Sequence, residues 1–99
     1  MPVDDLPRLS AKELSVLEQL VGGEKYGLEL VAGSAGYLSR HSVYVLLARM
    51  EEKGFIDSRE DAAPPGVAVP PRRKYAVTGH GRRVLSASEL ALAAPRGAR

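Results

Sequence analysis

The sequence predicts a mainly α fold with one small β-hairpin, in the order helix, helix, helix, strand, strand, helix. Three observations predict it. Before residue 54, apolar residues recur at helical spacing in three stretches, each closed by glycine. At Phe55 the pattern changes to short runs that suit strands, on either side of a loop rich in proline. After Thr78 the helical spacing returns.

Residues 1–9 form a polar lead-in with two prolines, expected to fray. Ser10-Ala11-Lys12-Glu13 has the form of a capping box, with Leu9 placed to staple onto Leu14. Leu14, Leu17, Leu20 and Val21 give the first helix its apolar stripe, and Gly22-Gly23 ends it. Glu24 to Gly27 is a short turn into a second helix, Tyr26 to about Ala32, with Leu28, Leu30 and Val31 as its apolar positions. After the loop Gly33 to Gly36, Tyr37 and Leu38 are expected to anchor against the core. The third helix is the clearest, running 39–53 from Ser39 as N-cap to Gly54 as stop. Val43, Leu46, Leu47 and Met50 fall at i, i+3, i+4, i+7 and make its buried stripe.

Phe55 to Glu60 reads as a strand and Tyr75 to Thr78 as a second one. Between them, residues 61–71 contain four prolines, which remove backbone donors and leave a loop. Arg72, Arg73 and Lys74 lead into the return strand. Thr78 is the expected N-cap of the last helix, whose apolar side is Val84, Leu85, Leu90 and Leu92; it dissolves into a basic tail at 95–99.

Three compact helices followed by a two-stranded hairpin make the winged form of the helix-turn-helix, α-α-α-β-β-α. In that arrangement the second helix of the motif lies in the major groove of DNA and its first residues reach base edges. Ser39, Arg40, His41 and Ser42, at the polar start of helix 39–53, are therefore the candidates for base or phosphate contact. Lys25 and Tyr26 stand where the preceding helix meets the backbone. Tyr44 is either a phosphate contact through its hydroxyl or a half-buried aromatic. Arg49 is either a DNA contact or an internal partner of Glu51 or Glu52. The wing, 61–74, carries Arg72, Arg73 and Lys74, which suit phosphates or a minor groove. Arg82 and Arg83 are expected on the solvated face of the last helix.

The charge distribution agrees with a polyanionic partner. Residues 1–61 carry seven Lys/Arg and eleven Asp/Glu, a balance of −4, whereas residues 62–99 carry seven and one, a balance of +6.

The motifs resemble those of the PadR-like transcriptional regulators. That family shows E-L-x-x-L-x-x-L, then Y-G-x-E-L, then Y-x-L-L-x-R-L-E-x-x-G-L-I, and closes on K-Y-x-L-T-x-x-G-x-x-x-L. Here the matching residues are Glu13-Leu14…Leu17…Leu20, Tyr26 to Leu30, Tyr44 to Ile56 and Lys74 to Leu85, so the likeness spans about residues 9–85. Where the family usually has Gly-Thr-Leu-Tyr-Pro, this chain has His41-Ser42-Val43-Tyr44-Val45. The resemblance implies a dimeric repressor of double-stranded DNA, relieved in some members by a small aromatic or cationic effector. It also implies a homodimer joined through C-terminal helices. Only one such helix fits here, at 79–94, with Leu85, Leu90 and Leu92 as the expected contact; residues 10–78 would be the DNA-binding domain.

Other function classes find little support. There is no cysteine, and His41 and His80 stand apart from any carboxylate at ligand spacing, so no metal site or cofactor is expected. No phosphate loop and no Ser-His-Asp grouping appears, which argues against an enzyme. The acidic N-terminus lacks the basic region of a secretion signal, and no apolar run reaches a membrane span; a soluble cytoplasmic protein is expected. The alternative reading is a winged-helix protein-interaction module that uses the same helix on a protein partner.

Overall fold

The computed structural model describes residues 8–61, 65–66 and 72–93. Its elements are α1 (Ala11–Val21), β1 (Lys25–Tyr26), α2 (Gly27–Ala32), α3 (Val43–Glu52), β2 (Ile56–Asp61), β3 (Arg72–Val77) and α4 (Gly79–Ala93). The lead-in at 1–7, most of the loop at 62–71 and the tail at 94–99 lie outside the described residues.

α1 starts as its sequence demands. Ser10 Oγ accepts from Glu13 N–H at 3.1 Å, and Glu13 Oε1 accepts from Ser10 N–H at 2.9 Å, so two orphan donors are satisfied at once. The other carboxylate oxygen of Glu13 takes Lys53 Nζ at 2.6 Å, which ties the start of α1 to the end of α3. Burial pushes the Glu13 carboxyl up. The bonds from Lys53 and Ser10 outweigh it and leave the group below its ordinary value.

The helices close on one apolar core. Val16, Leu17 and Leu20 from α1 meet Leu30 of α2, Val43, Leu47 and Met50 of α3, and Val84 and Leu85 of α4, with Phe55, Ile56 and Tyr75 beneath. Leu46, Leu9 and Leu14 are half-buried against it. Each fully buried Leu contributes roughly 1.5–3 kcal/mol. Some residues expected inside are not. Val21 at the end of α1, Leu28 at the start of α2, Tyr37 in the loop before α3, and Leu90 on α4 are all exposed. The buried face of α1 is Glu13, Val16, Leu17 and Leu20, rotated from the expected stripe toward Val16 and away from Leu14 and Val21.

Several boundaries differ from the sequence reading, β2 among them, which runs Ile56–Asp61 rather than from Phe55 to Glu60. The third helix does not begin at Ser39. Ser39 Oγ accepts from Ser42 N–H at 3.2 Å and so caps a separate turn, and Ser42, with φ −112°, precedes the first helical residue, Val43. The second helix begins at Gly27 rather than Tyr26, with Glu29 Oε1 accepting from Tyr26 N–H at 2.7 Å. Lys25 and Tyr26, expected in a turn, instead form the short strand β1, so the hairpin becomes a three-stranded antiparallel sheet in the order β1-β3-β2. The register sets Tyr26 opposite Lys74, and Asp61 opposite Arg72. The return strand starts at Arg72 rather than Tyr75, so the three cations are part of the ladder.

The end of α3 is a Schellman turn. Gly54 adopts φ +79°; its N–H bonds Glu51 O at 2.9 Å, and Phe55 N–H bonds Met50 O at 3.0 Å. From there the base of the hairpin is closed by Thr78. Its hydroxyl donates to Gly54 O at 2.6 Å and accepts from Gly81 N–H at 2.9 Å, and its own N–H bonds Phe55 O at 3.0 Å. Gly81 has to be glycine here, since a Cβ on it would stand 2.0 Å from the Phe55 carbonyl oxygen.

Two outcomes follow for urea unfolding. Gly81→Ala costs more than about 3 kcal/mol or leaves the chain unfolded, while Gly79→Ala, whose Cβ would meet only Arg83 at 3.5 Å, shifts stability by less than about 1 kcal/mol. Glu13→Gln loses less than about 1 kcal/mol at neutral pH, because Lys53 is half-exposed. A carboxylate lowered in the folded state stabilises above its unfolded pKa and loses that contribution as pH falls. The deficit of Glu13→Gln therefore closes on acidification through the lowered Glu13 value; a deficit unchanged in acid would remove the ion pair as its cause.

Candidate nucleic-acid interface

α3 has two unlike faces. Val43, Leu47 and Met50 are fully buried, so the opposite ridge is set by helical spacing alone: Val45, Ala48, Arg49 and Glu52, all exposed. The turn before the helix adds Ser39, Arg40, His41 and Ser42, every one exposed. Ser39 Oγ and Ser42 Oγ lie 2.8 Å apart, which holds the turn closed without drawing on the core. Arg49 makes no ion pair among the described residues, so the internal pairing with Glu51 or Glu52 is not present. Glu51 instead accepts from Ser58 Oγ at 2.9 Å.

Tyr44 flanks this ridge, half-exposed. Its ring lies over Gly27 so closely that a Cβ there would stand 2.6 Å from a ring carbon. Gly27 thus lets α2 approach α3. Sequence reasoning placed Tyr44 on the interface but did not single out Val45 or Ala48. The signal was available: both stand opposite the buried stripe at helical spacing.

The cations expected on the wing are brought to the sheet but divided by it. Strand residues alternate faces. Arg72 and Lys74 share one face with Arg59, Asp61 and Tyr26, and Arg73 points to the other, where its Nε donates to Ser58 Oγ at 3.0 Å. Three adjacent cations therefore do not form one strip. On the outer face, Tyr26 is the centre. Its ring lies 4.1 Å from the Arg72 guanidinium carbon and 5.0 Å from Lys74 Nζ, and its hydroxyl donates to Asp61 Oδ2. Arg59 is chelated by Glu24, at 3.0 and 3.4 Å, and lies 3.6 Å from Asp61. The charges follow. The Tyr26 hydroxyl bond, with Lys74, Arg59 and Arg72 nearby, holds Asp61 below the usual carboxylate range, and the same bond pushes the Tyr26 hydroxyl up. Glu24 is lowered by Arg59. Lys25 pairs with Tyr75 and so lies half-buried on the other face of the sheet from this cluster.

Of the expected dimer contacts, Leu85 is buried in the chain's own core, Leu90 is 72% exposed, and the side chain of Leu92 lies outside the described residues. Among the described residues no group of His, Cys, Asp or Glu could hold a metal ion, and no helix is long and apolar enough to cross a membrane. A groove of about 220 Å³ runs between α1 and α4, lined by Glu18, Val21, Arg82, Leu85, Ser86 and Glu89.

Residues 14–87 match the family model described as the transcriptional regulator PadR-like family. The chain belongs to that family. PadR-like proteins are regulators of transcription, and enzyme activity is not part of the family's description. Solved structures agree. A transcriptional regulator from Thermoplasma acidophilum is 28% identical with a TM-score of 0.71, the alignment covering 82% of this chain and 79% of that one. A PadR family transcriptional regulator from Eggerthella lenta is 30% identical with a TM-score of 0.69, over 81% and 70%. A PadR family regulator from Clostridium difficile shares the fold at 22% identity and a TM-score of 0.68, over 83% and 86%. No curated protein matches the chain. The PadR fold sets α2 and α3 as the helix-turn-helix and β2-β3 as the wing.

Proposed function

We propose that this PadR-like protein is a sequence-specific DNA-binding repressor acting as a homodimer on double-stranded DNA. The observation that carries the reading is the two-faced α3: a fully buried apolar stripe behind, and Arg40, His41, Ser42, Val45 and Arg49 exposed in front. The turn 39–42 and the first turns of α3 enter the major groove, where Arg and Ser donors suit base edges and phosphates. Val45 and Ala48 offer methyl groups of the kind that meet thymine. The Arg72 and Lys74 face of the wing meets the flanking backbone. This chain's preference resides in the exposed residues of the stretch where it departs from the family pattern, His41, Ser42, Tyr44 and Val45.

In the proposed homodimer two such helices would address half-sites about one helical turn apart, roughly 34–36 Å. Among the described side chains of α4, Leu90 is the large apolar one exposed to meet a second copy. A small cationic or aromatic effector would enter the groove between α1 and α4, where Glu18 and Glu89 supply carboxylates beside Val21.

A gel shift against the duplex upstream of the protein's own gene tests the function. Binding is expected at low salt and to weaken steeply as salt rises, and replacing Arg72, Arg73 and Lys74 together by Ala flattens that slope by about one to three phosphates. An unchanged slope takes the wing out of the interface. No shift even at low salt leaves the α3 face as a protein-docking surface instead. An effector would release the shifted duplex in the same assay. Sedimentation tests the dimer: Leu90→Asp is expected to give monomers with the helical content intact, and a persistent dimer places the contact elsewhere.

A further inference from the structure

The outer face of the sheet holds an arrangement that DNA contact alone does not require. Three cations, Arg59, Arg72 and Lys74, stand there with Asp61 among them and Tyr26 beneath two of them. Lysine and arginine side chains are long, and each loses substantial rotamer entropy when a phosphate fixes it. A ring that already holds both heads at 4.1 and 5.0 Å removes part of that cost before any duplex arrives. The ring is itself fixed from two sides. Its backbone is in the ladder opposite Lys74 and caps α2, and its hydroxyl is bonded to Asp61 at the end of β2. Tyr26 thus joins the helix-turn-helix to the root of the wing.

Asp61 has a second consequence. It faces Arg72 across the ladder and Arg59 at 3.6 Å, so its charge offsets part of the field these cations offer to a phosphate. Glu24 does the same to Arg59 from β1's side.

Resting on the DNA-binding reading above, we propose that Tyr26 is a positioning residue for backbone contact. Its ring presets Arg72 and Lys74 on one face of the wing, and Asp61 fixes the ring while limiting the strength of that contact. Tyr26 does this without touching DNA through its hydroxyl, which is already committed to Asp61.

The test compares salt slopes of duplex binding for the full chain and three variants. Tyr26→Leu changes no charge, yet it is expected to weaken binding roughly three- to tenfold and to lower the slope by about one to two. Tyr26→Phe keeps the ring and is expected to restore most of the slope. Asp61→Asn keeps an acceptor for the hydroxyl and removes the opposing charge, so it is expected to tighten binding several-fold at low salt. A folded Tyr26→Leu variant with the parent slope overturns the proposal. So does an Asp61→Asn variant that binds more weakly than the parent, and this second arm holds even if Tyr26→Leu fails to fold. Failure of the parent chain to bind any duplex would instead strike the DNA-binding reading itself and take this inference with it.

Discussion

The carbonyl of Phe55 is the point on which the rest of the structure turns. It accepts from Thr78 N–H, and the backbone of Gly81 lies directly against it. One peptide unit thereby fixes where α3 stops, where the hairpin closes and where α4 begins. Each neighbour is constrained by a different rule. Gly54 supplies a left-handed φ, Thr78 supplies a hydroxyl with both donor and acceptor capacity, and Gly81 supplies the absence of a Cβ. With that junction set, the cross-strand register follows, and so does the direction in which the sheet leaves the helices. The Lys53 bond to Glu13 braces the same corner from the side of α1.

Electrostatics in this molecule is a matter of pairing more than of total charge. The second part of the chain is strongly basic by sequence, yet at the root of the wing the cations meet Asp61, Glu24 and an aromatic ring. The turn before α3 is different: Arg40 and His41 are exposed, and no ion pair engages them among the described residues. The protein therefore offers two kinds of positive surface. One is paired and partly neutralised, the other exposed and unpaired among the described residues.

How much of this was legible in the sequence depends on the range of the interaction. Local signals read true: the capping box at Ser10 and Glu13, the stop at Gly54 and the cap at Thr78 all act within one turn of chain. The period of Val43, Leu47 and Met50 found the buried face of α3 for the same reason. What was missed depends on partners far along the chain. Lys25 and Tyr26 become a strand only because β3 lies beside them, and two residues carry no readable alternation. The division of Arg72, Arg73 and Lys74 between faces needs the strand to begin at Arg72, which its ladder to β2 decides. Ser39 looked like the start of α3 because it does cap a turn; the helix proper waits for the first core residue, Val43.

The turn from Ser39 to Ser42 closes on its own serine hydroxyls and buries none of its side chains. Ser39 and Ser42 hold the turn through their hydroxyls, whereas Arg40 and His41 are exposed and make no ion pair among the described residues, so substitutions at these two positions carry little folding penalty. The two serines therefore carry the shape of the loop and the two residues between them carry its chemistry, so the surface ahead of α3 can change while its backbone is kept.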